Sequence, residues 1–126
     1  MEGMKRQAPD MRPLEFLGHS REDLRAMPKP VRVAFGFALN EAQRGDTADA
    51  ARPLHGFGGA GVLEIVEDYA GDAYRAVYAV RFADKVHVLH VFQKKSRRGS
   101  KTPPEDMALI RARLREAEER YRRRRA

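Results

Sequence analysis

The chain has 126 residues, with 25 lysines and arginines, 18 aspartates and glutamates, a formal net charge of +7 and no cysteine. This length predicts one domain built around one hydrophobic core. The absence of cysteine excludes disulfides, thiolate metal sites and a cysteine nucleophile. No apolar run reaches the ~18 residues of a membrane span. We therefore expect a cytoplasmic protein with no membrane partner, and the positive charge favours a polyanionic partner such as nucleic acid.

The N-terminal third predicts a leader, a short strand and two helices. Residues 1–13 contain two prolines and no periodicity, which is typical of a flexible leader. Residues 14–17 alternate as a short strand does, and Ser20 is a candidate N-cap for a short helix that ends before Pro28. A second helix is predicted over residues 30–44, and the two helices should form a hairpin.

A glycine-rich loop over residues 46–61 leads into three predicted strands, at 62–68, 74–82 and 86–93. The connections between the strands are short, which predicts an antiparallel meander because parallel pairing needs a long crossover. A strand, and not a helix, follows the glycines, so the loop does not fit a dinucleotide-binding or P-loop motif.

The segment Thr102-Pro103-Pro104-Glu105 has the pattern of a capping box with proline in the first helical turn. The helix that it opens carries one apolar seam, formed by Met107, Ile110, Leu114, Ala117 and Tyr121. Residues 122–126 are predicted to be a basic tail. The whole pattern predicts a single α+β domain over residues 14–121: an antiparallel meander sheet with an N-terminal helical hairpin and a C-terminal helix, the helices packed on one face.

The histidines do not form a metal-ligand pattern, so we expect no metal site. His87 and His90 are three residues apart on a strand and are expected to face opposite sides of the sheet. His90 should share its face with Val88 and Phe92, as a half-buried packing histidine does. His55 lies in the glycine-rich loop and is expected to be exposed.

Basic residues are predicted to converge at one end of the sheet. Arg75 lies early in the second strand of the meander, and Lys94 and Lys95 end the third strand, its hairpin partner. A strand arginine beside strand-end lysines is suited to hold a phosphate and its developing negative charge. The alternative is a set of ordinary surface charges. Glu64 alternates with apolar neighbours and is interpreted as a solvent-facing strand residue.

Three segments carry a resemblance to a known family: Tyr74-Arg75-Ala76-Val77-Tyr78, Leu89-His90-Val91-Phe92-Gln93-Lys94-Lys95 and Thr102-Pro103-Pro104-Glu105. They resemble the motifs of the RelE/HigB toxin superfamily, and most closely those of its phage-derived HigB-like branch. The resemblance covers residues 12–120. It implies a RelE-like fold and the toxin of a type II toxin–antitoxin pair, a ribosome-dependent endoribonuclease that cuts mRNA without a cofactor. A helix-turn-helix antitoxin is the implied cognate partner.

The resemblance also implies roles for individual residues. Arg75 would stabilise the charge of the transition state, Lys94 and Lys95 would hold the scissile phosphate, and His55 matches a catalytic histidine of some relatives. The expected substrate-binding residues are His90, Arg97, Arg98 and Lys101. Many relatives carry an arginine on the first strand of the meander, whereas this chain has Ile65 there.

Two alternative functions remain open at this point. One is a ParE-like toxin of the same fold that inhibits gyrase, and the other is a nucleic-acid-binding or ribosome-binding module without catalysis. The basic site favours the nuclease, whereas the missing arginine favours the binding module. In the nuclease, the ribose 2′-OH would attack the adjacent phosphate without a metal. The general base is open among His55, His90 and a lysine of lowered pKa.

Overall fold

The computed structural model describes residues 11–58, 61–94 and 101–126, which form a five-stranded sheet and three helices. In chain order the elements are β1 (Leu14–Phe16), α1 (Ser20–Arg25), α2 (Lys29–Gln43), β2 (Arg52–Pro53), β3 (Val62–Tyr69), β4 (Asp72–Ala79), β5 (Val86–Lys94) and α3 (Pro104–Arg125). The predicted α+β class, the three-stranded meander and the C-terminal helix are confirmed. Strand β2 was not predicted.

The sheet has the strand order β1-β5-β4-β3-β2 and is mixed, not purely antiparallel as predicted. Strands β3, β4 and β5 pair antiparallel, and Ala70 and Gly71 join β3 to β4 with φ angles of 53° and 86°. Two successive positive φ angles are what a two-residue hairpin loop requires. Strand β1 pairs parallel with β5. Its direction was not predictable, because most of the chain separates these two strands and leaves either direction possible.

The helices α2 and α3 pack on opposite faces of the sheet, so the prediction of one helical face is wrong. The cluster on the α2 face contains Val31, Phe35, Leu39, Ile65, Tyr78 and Val91. The cluster on the α3 face contains Leu17, Val62, Val77, Leu89, Ile110 and Ala117, and the predicted apolar seam of α3 packs in it. The central strands are apolar on both sides, which requires a cover on each side. The short helix α1 packs against β5 and α2 packs against β3, so each N-terminal helix contacts the sheet.

A β-bulge interrupts the pairing of β4 with β5. Val77 lies opposite His90 and Tyr78 lies opposite Val88, so Leu89 is the extra residue on β5. Two residues of a bulged strand oppose one residue of its partner, and the alternation of side chains is shifted after the bulge. Leu89 and His90 therefore both face α3.

The bulge also corrects the predicted orientation of the two strand histidines. His90 Nε2 lies 2.8 Å from Asp106 Oδ1, and His87 Nε2 lies 3.4 Å from the Arg124 guanidinium, so both rings face α3. The prediction of opposite faces assumed an uninterrupted strand and is wrong. His90 likewise does not share a face with Val88, which packs in the α2-side cluster.

Both ends of the described chain are bound to the domain. The backbone N–H of Arg12, a residue of the predicted leader, donates to Gln43 O at 2.9 Å; the first ten residues of that leader lie outside the described part. At the other end, α3 continues to Arg125, so the predicted basic tail is the last turn of a helix. Arg124 in this turn donates to the Asp84 carboxylate at 2.6 Å.

Glu15 on β1 is the centre of the ion pairs that hold the C-terminal half of α3. Its carboxylate accepts hydrogen bonds from Arg120 and, at 3.3 Å, from Arg124, and it lies 3.4 Å from Lys85 Nζ. Burial raises the pKa of Glu15, but the hydrogen bonds from Arg120 and Lys85 outweigh burial and hold the pKa below its usual value. One carboxylate thus joins β1, the β4–β5 turn and α3.

We expect Glu15→Ala to lower the free energy of unfolding by about 1–3 kcal/mol at neutral pH, because it leaves three clustered cations without their shared partner. The folded-state pKa of Glu15 is depressed, so this contribution is present above the unfolded-state pKa and is lost as the pH falls through the folded-state value. Urea unfolding at neutral and acidic pH measures both effects. The control is Glu118→Ala, which removes an exposed pair with Arg122 and should cost at most about 0.5 kcal/mol. Equal losses in the two variants would contradict this account.

Candidate active site

A buried arginine joins two strands to the start of α3. The side chain of Arg75 is 5% exposed, and its guanidinium donates to Glu64 Oε1 at 2.9 Å and to Thr102 Oγ1 at 3.2 Å. Thr102 was predicted to cap α3, but Pro103 is its N-cap, and among the described residues no side-chain hydrogen bond caps this helix. The Thr102 hydroxyl instead accepts from Arg75. The sequence analysis interpreted Glu64 as a solvent-facing residue. In the structure it lies diagonally across from Arg75 and forms an ion pair with it.

Lys94 lies beside Arg75 on the same face of the sheet. It pairs with Ala73, two residues before Arg75 on β4, and it is 7% exposed. Burial and the positive charge of Arg75 lower the pKa of Lys94, whereas the Glu64 carboxylate acts in the opposite direction. The structure thus brings Arg75 and Lys94 together, as the sequence predicted. Three other predicted site residues lie outside the described part of the chain: Lys95, Arg97 and Arg98.

An open groove of about 660 Å³ adjoins this pair of cations. It is lined by Arg52, Pro53, Leu54, His55, Glu64, Lys101, Thr102 and Met107. The groove contains two of the predicted site residues, His55 and Lys101, and both are exposed. The two residues that hold Arg75 line it as well. The groove therefore lies directly against the ion pair of Arg75 with Glu64.

Strand β2 supplies a basic side chain that the sequence analysis did not find. Arg52 is exposed, lines the groove and lies directly opposite Glu64 in the register of β2 with β3. Ile65, the residue that replaces the expected arginine, is 1% exposed and packs in the α2-side core. An arginine there would point away from the groove. A two-residue strand that ends in Pro53 has no periodicity, so no pattern in the sequence indicates it.

Two arginines hold the loop that carries His55. The Arg81 guanidinium donates to the backbone carbonyl of Phe57 at 2.9 Å, and the Arg111 guanidinium lies over the Phe57 ring at 5.3 Å from its centroid. A cation over an aromatic face stabilises such a contact. Arg81, just after β4, and Arg111 of α3 therefore fix this loop at Phe57, two residues after His55.

His90 lies in a different groove. Its Nε2 is 2.8 Å from Asp106 Oδ1, and its ring stacks on Phe92 at a centroid distance of 4.3 Å. Burial lowers the pKa of His90, and the hydrogen bond with Asp106 opposes this effect without reversing it. This second groove has a volume of about 1010 Å³, and its other charged lining residues are Asp23 and Glu105. The structure therefore places the predicted substrate-binding His90 among carboxylates, which repel phosphate, and apart from His55.

The first groove has the groups that phosphate chemistry requires. The cations Arg52 and Lys101 line it, and Arg75 and Lys94 lie beside it. Two lining residues can carry protons, His55 and Glu64. Fixed cations stabilise a developing oxyanion, and carboxylates and imidazoles transfer protons. In the described ranges, no three His, Asp or Glu side chains are grouped so as to hold a metal ion. No helix in the same ranges has the length and apolar character needed to cross a membrane.

A family model described as phage-derived protein Gp49-like (DUF891) matches residues 22–115, which is more than half of the chain. The chain belongs to this Gp49-like family. Membership confirms the resemblance to the phage-derived HigB-like branch, because Gp49-like proteins are a RelE/HigB-type toxin family. Among solved structures, the chain is similar to the toxin–antitoxin complex RelBE2 from Mycobacterium tuberculosis, with 21% identity and a TM-score of 0.45 over 67% of this chain and 99% of that chain. No curated protein matches the sequence.

The His90–Asp106 contact of the Gp49-like chain leads to a prediction about pH. Asp106 favours the protonated form of His90, so we expect Asp106→Asn to lower the pKa of His90 further below its ordinary value of 6.5. Because the folded-state pKa is lowered, protons favour the unfolded state, and stability should fall as the pH drops through and below 6.5. Imidazole NMR titration measures the pKa, with the exposed His19 as internal control. An unchanged pKa of His90 in Asp106→Asn would refute the assigned contact.

Proposed function

We propose that this Gp49-like chain is the toxin of a toxin–antitoxin pair and acts in the cytoplasm as a ribosome-dependent endoribonuclease on mRNA, without a metal. The observation that carries the proposal is the buried guanidinium of Arg75, held by Glu64 and Thr102 beside a groove with exposed basic side chains. A cation that is already fixed stabilises a developing phosphate charge without the cost of reorganisation. The proposed partners are the ribosome, mRNA and a cognate helix-turn-helix antitoxin, the last as the toxin family implies.

In the proposed reaction, the ribose 2′-OH attacks the adjacent phosphorus and the bond to the 5′-oxygen breaks. The products are a 2′,3′-cyclic phosphate and a free 5′-hydroxyl. Arg75 and Lys94 are assigned to the negative charge of the transition state, and Arg52 and Lys101 to the neighbouring phosphates. The net charge of +7 supports association with RNA in general but does not select the scissile bond.

We assign the two proton transfers to the proton carriers that line the groove. Glu64 accepts the proton of the 2′-OH, and His55 donates a proton to the leaving 5′-oxygen. Two of the bases left open by the sequence are less suitable. His90 is engaged with Asp106 in the other groove. The lowered pKa of Lys94 keeps it a candidate base, but we assign its charge, with that of Arg75, to the transition state.

The proposal is tested by inducing the chain in cells and mapping the ends of a reporter mRNA and of a matched copy without a start codon. We expect cleavage of the translated copy alone. Cleavage of both copies would contradict ribosome dependence. A DNA-damage response without cleavage would indicate a ParE-like gyrase inhibitor, and binding to ribosomes without either effect would indicate a non-catalytic module.

We expect Arg75→Ala to slow mRNA cleavage by about 10²–10³-fold, because a fixed donor to the transition state is lost. The variant also leaves the Glu64 carboxylate without this partner, so its thermal unfolding is measured in parallel. Arg75→Lys keeps the charge but loses the planar fork, and it provides a second variant if Arg75→Ala does not fold. The control is Arg122→Ala, whose side chain is 73% exposed and which should change the rate less than about twofold. Undiminished cleavage by folded Arg75 variants would overturn the site.

The proton-transfer roles predict losses of rate. Glu64→Gln and His55→Ala should each slow cleavage by about 10²–10⁴-fold, which is the usual contribution of a general acid or base. Single-turnover cleavage on programmed ribosomes measures both rates. A variant that folds and cleaves at the unmodified rate would show that another group performs the transfer.

A further inference from the structure

Helix α2 has an exposed apolar surface on the side of the domain away from the candidate active site. Val33 and Phe37 are 61% and 63% exposed, although Val31 and Phe35 of the same helix are fully buried. Residues four apart lie on one side of a helix, so Val33 and Phe37 are neighbours on its surface. Large apolar side chains that are adjacent and exposed are typical of an interaction surface.

A groove of about 510 Å³ runs beside these two side chains, between α2, the connection to β2, and β3. Its uncharged lining residues, besides Val33 and Phe37, are Ala34, Ala38, Thr47, Ala48, Ala50 and Ile65. Most of these side chains are small, which leaves room for the larger apolar side chains of a partner. We call Val33, Phe37 and this groove the α2 patch. Its shape suits a helix that inserts an apolar stripe into a groove.

The charges of the α2 patch oppose those of the rest of the chain. Its charged lining residues are Glu41, Asp49 and Glu67, all acidic, in a chain whose formal net charge is +7. No ion pair joins these three carboxylates to another described residue. Complementary charge steers a partner and suppresses like-charged ones, so this rim favours a cationic partner and disfavours RNA.

We propose that the α2 patch binds an amphipathic helix of a partner protein, with an apolar stripe that covers Val33 and Phe37 and with lysines or arginines on its flank. A second copy of this chain is a poorer occupant. A two-fold contact places a surface against itself, and here it would bring the carboxylates of the rim against each other. The α2 patch and the groove of Glu64 and Arg75 lie on opposite faces of the sheet. The helix would therefore bind without covering the candidate active site, and the proposal does not depend on the proposed nuclease.

The probe is a synthetic amphipathic peptide of about 18 residues, long enough to form a helix on binding, with leucines four apart and arginines on the flanks. A matched peptide carries glutamates in place of the arginines. Each is titrated into the isotope-labelled full chain, and backbone amide shifts are followed by NMR. We expect shifts confined to α2, residues 47–50 and β3, and affinity about tenfold lower for the glutamate peptide. Equal affinity, or shifts centred on the other face of the sheet, would overturn the proposal.

Variants of exposed residues separate binding from folding. We expect the double variant Val33→Ser/Phe37→Ser to keep its melting temperature and to weaken binding of the arginine peptide at least about tenfold. The matched control is Leu109→Ser, an apolar residue of α3 that is 36% exposed, which should leave binding unchanged. Glu41→Lys/Glu67→Lys should reverse the preference between the peptides. Two results would overturn the proposal. One is full binding by the folded double serine variant, and the other is a dimer of the unmodified chain in sedimentation that the double serine variant abolishes.

The same variants keep this proposal distinguishable from the nuclease proposal. The double serine variant should still cleave mRNA, because it leaves the residues around Arg75 intact. Conversely, Arg75→Lys should still bind the arginine peptide, because Arg75 faces α3. A failure of cleavage in the unmodified chain would leave the binding measurement unaffected.

Discussion

The guanidinium of Arg75 is buried where β3, β4 and the start of α3 meet, and a buried charge is tolerated only when other groups compensate it. Glu64 compensates it from β3, and Thr102 from the segment before α3. Because the second contact comes from outside the sheet, it positions the beginning of α3 against the strands. That beginning is also one wall of the groove that β2 closes on the other side. The hydrogen bond from Arg75 to Thr102 thus joins the two walls of the groove to the same buried guanidinium that holds Glu64.

One extra residue in β5 decides the environment of His90. The carbonyl of Leu89, the extra residue of the bulge, accepts a hydrogen bond from the Arg113 guanidinium at 2.8 Å. That guanidinium passes over Gly18, where an added Cβ would clash with it and where φ is +56°. Glycine adopts this φ without strain and leaves the Arg113 guanidinium in place. The bulge turns His90 toward Asp106 of α3, where its ring packs on Phe92, and its role in substrate binding stays a prediction.

The sequence predicted what is local and missed what depends on the faces of the sheet. The strands and the seam of α3 were predictable because periods of two and 3.6 residues are local patterns. The approach of Lys94 to Arg75 was predictable because a short turn sets the pairing of β4 with β5. The contact with Glu64 was within reach by the same logic, since a two-residue turn pairs Tyr69 with Asp72 and places Glu64 diagonally across from Arg75. The bulge and β2 follow from tertiary packing, for which the sequence has no local signal. The second covered face did have a signal, because the central strands are apolar on both sides.

The distribution of charge is more informative than its total. Arg120 and Arg124 are neutralised by Glu15 and Asp84, so part of the basic excess serves to attach α3 to the sheet and is not available to RNA. The exposed cations of the groove stand on the other side of the domain from the acidic α2 patch. Under the proposed function, the cations of the groove would attract RNA to their face of the domain, whereas the carboxylates of the α2 patch would not. A molecule with uniformly spread positive charge would bind RNA in many orientations. This chain can present the residues beside Arg75 to a phosphate while the α2 patch remains free for a cationic partner.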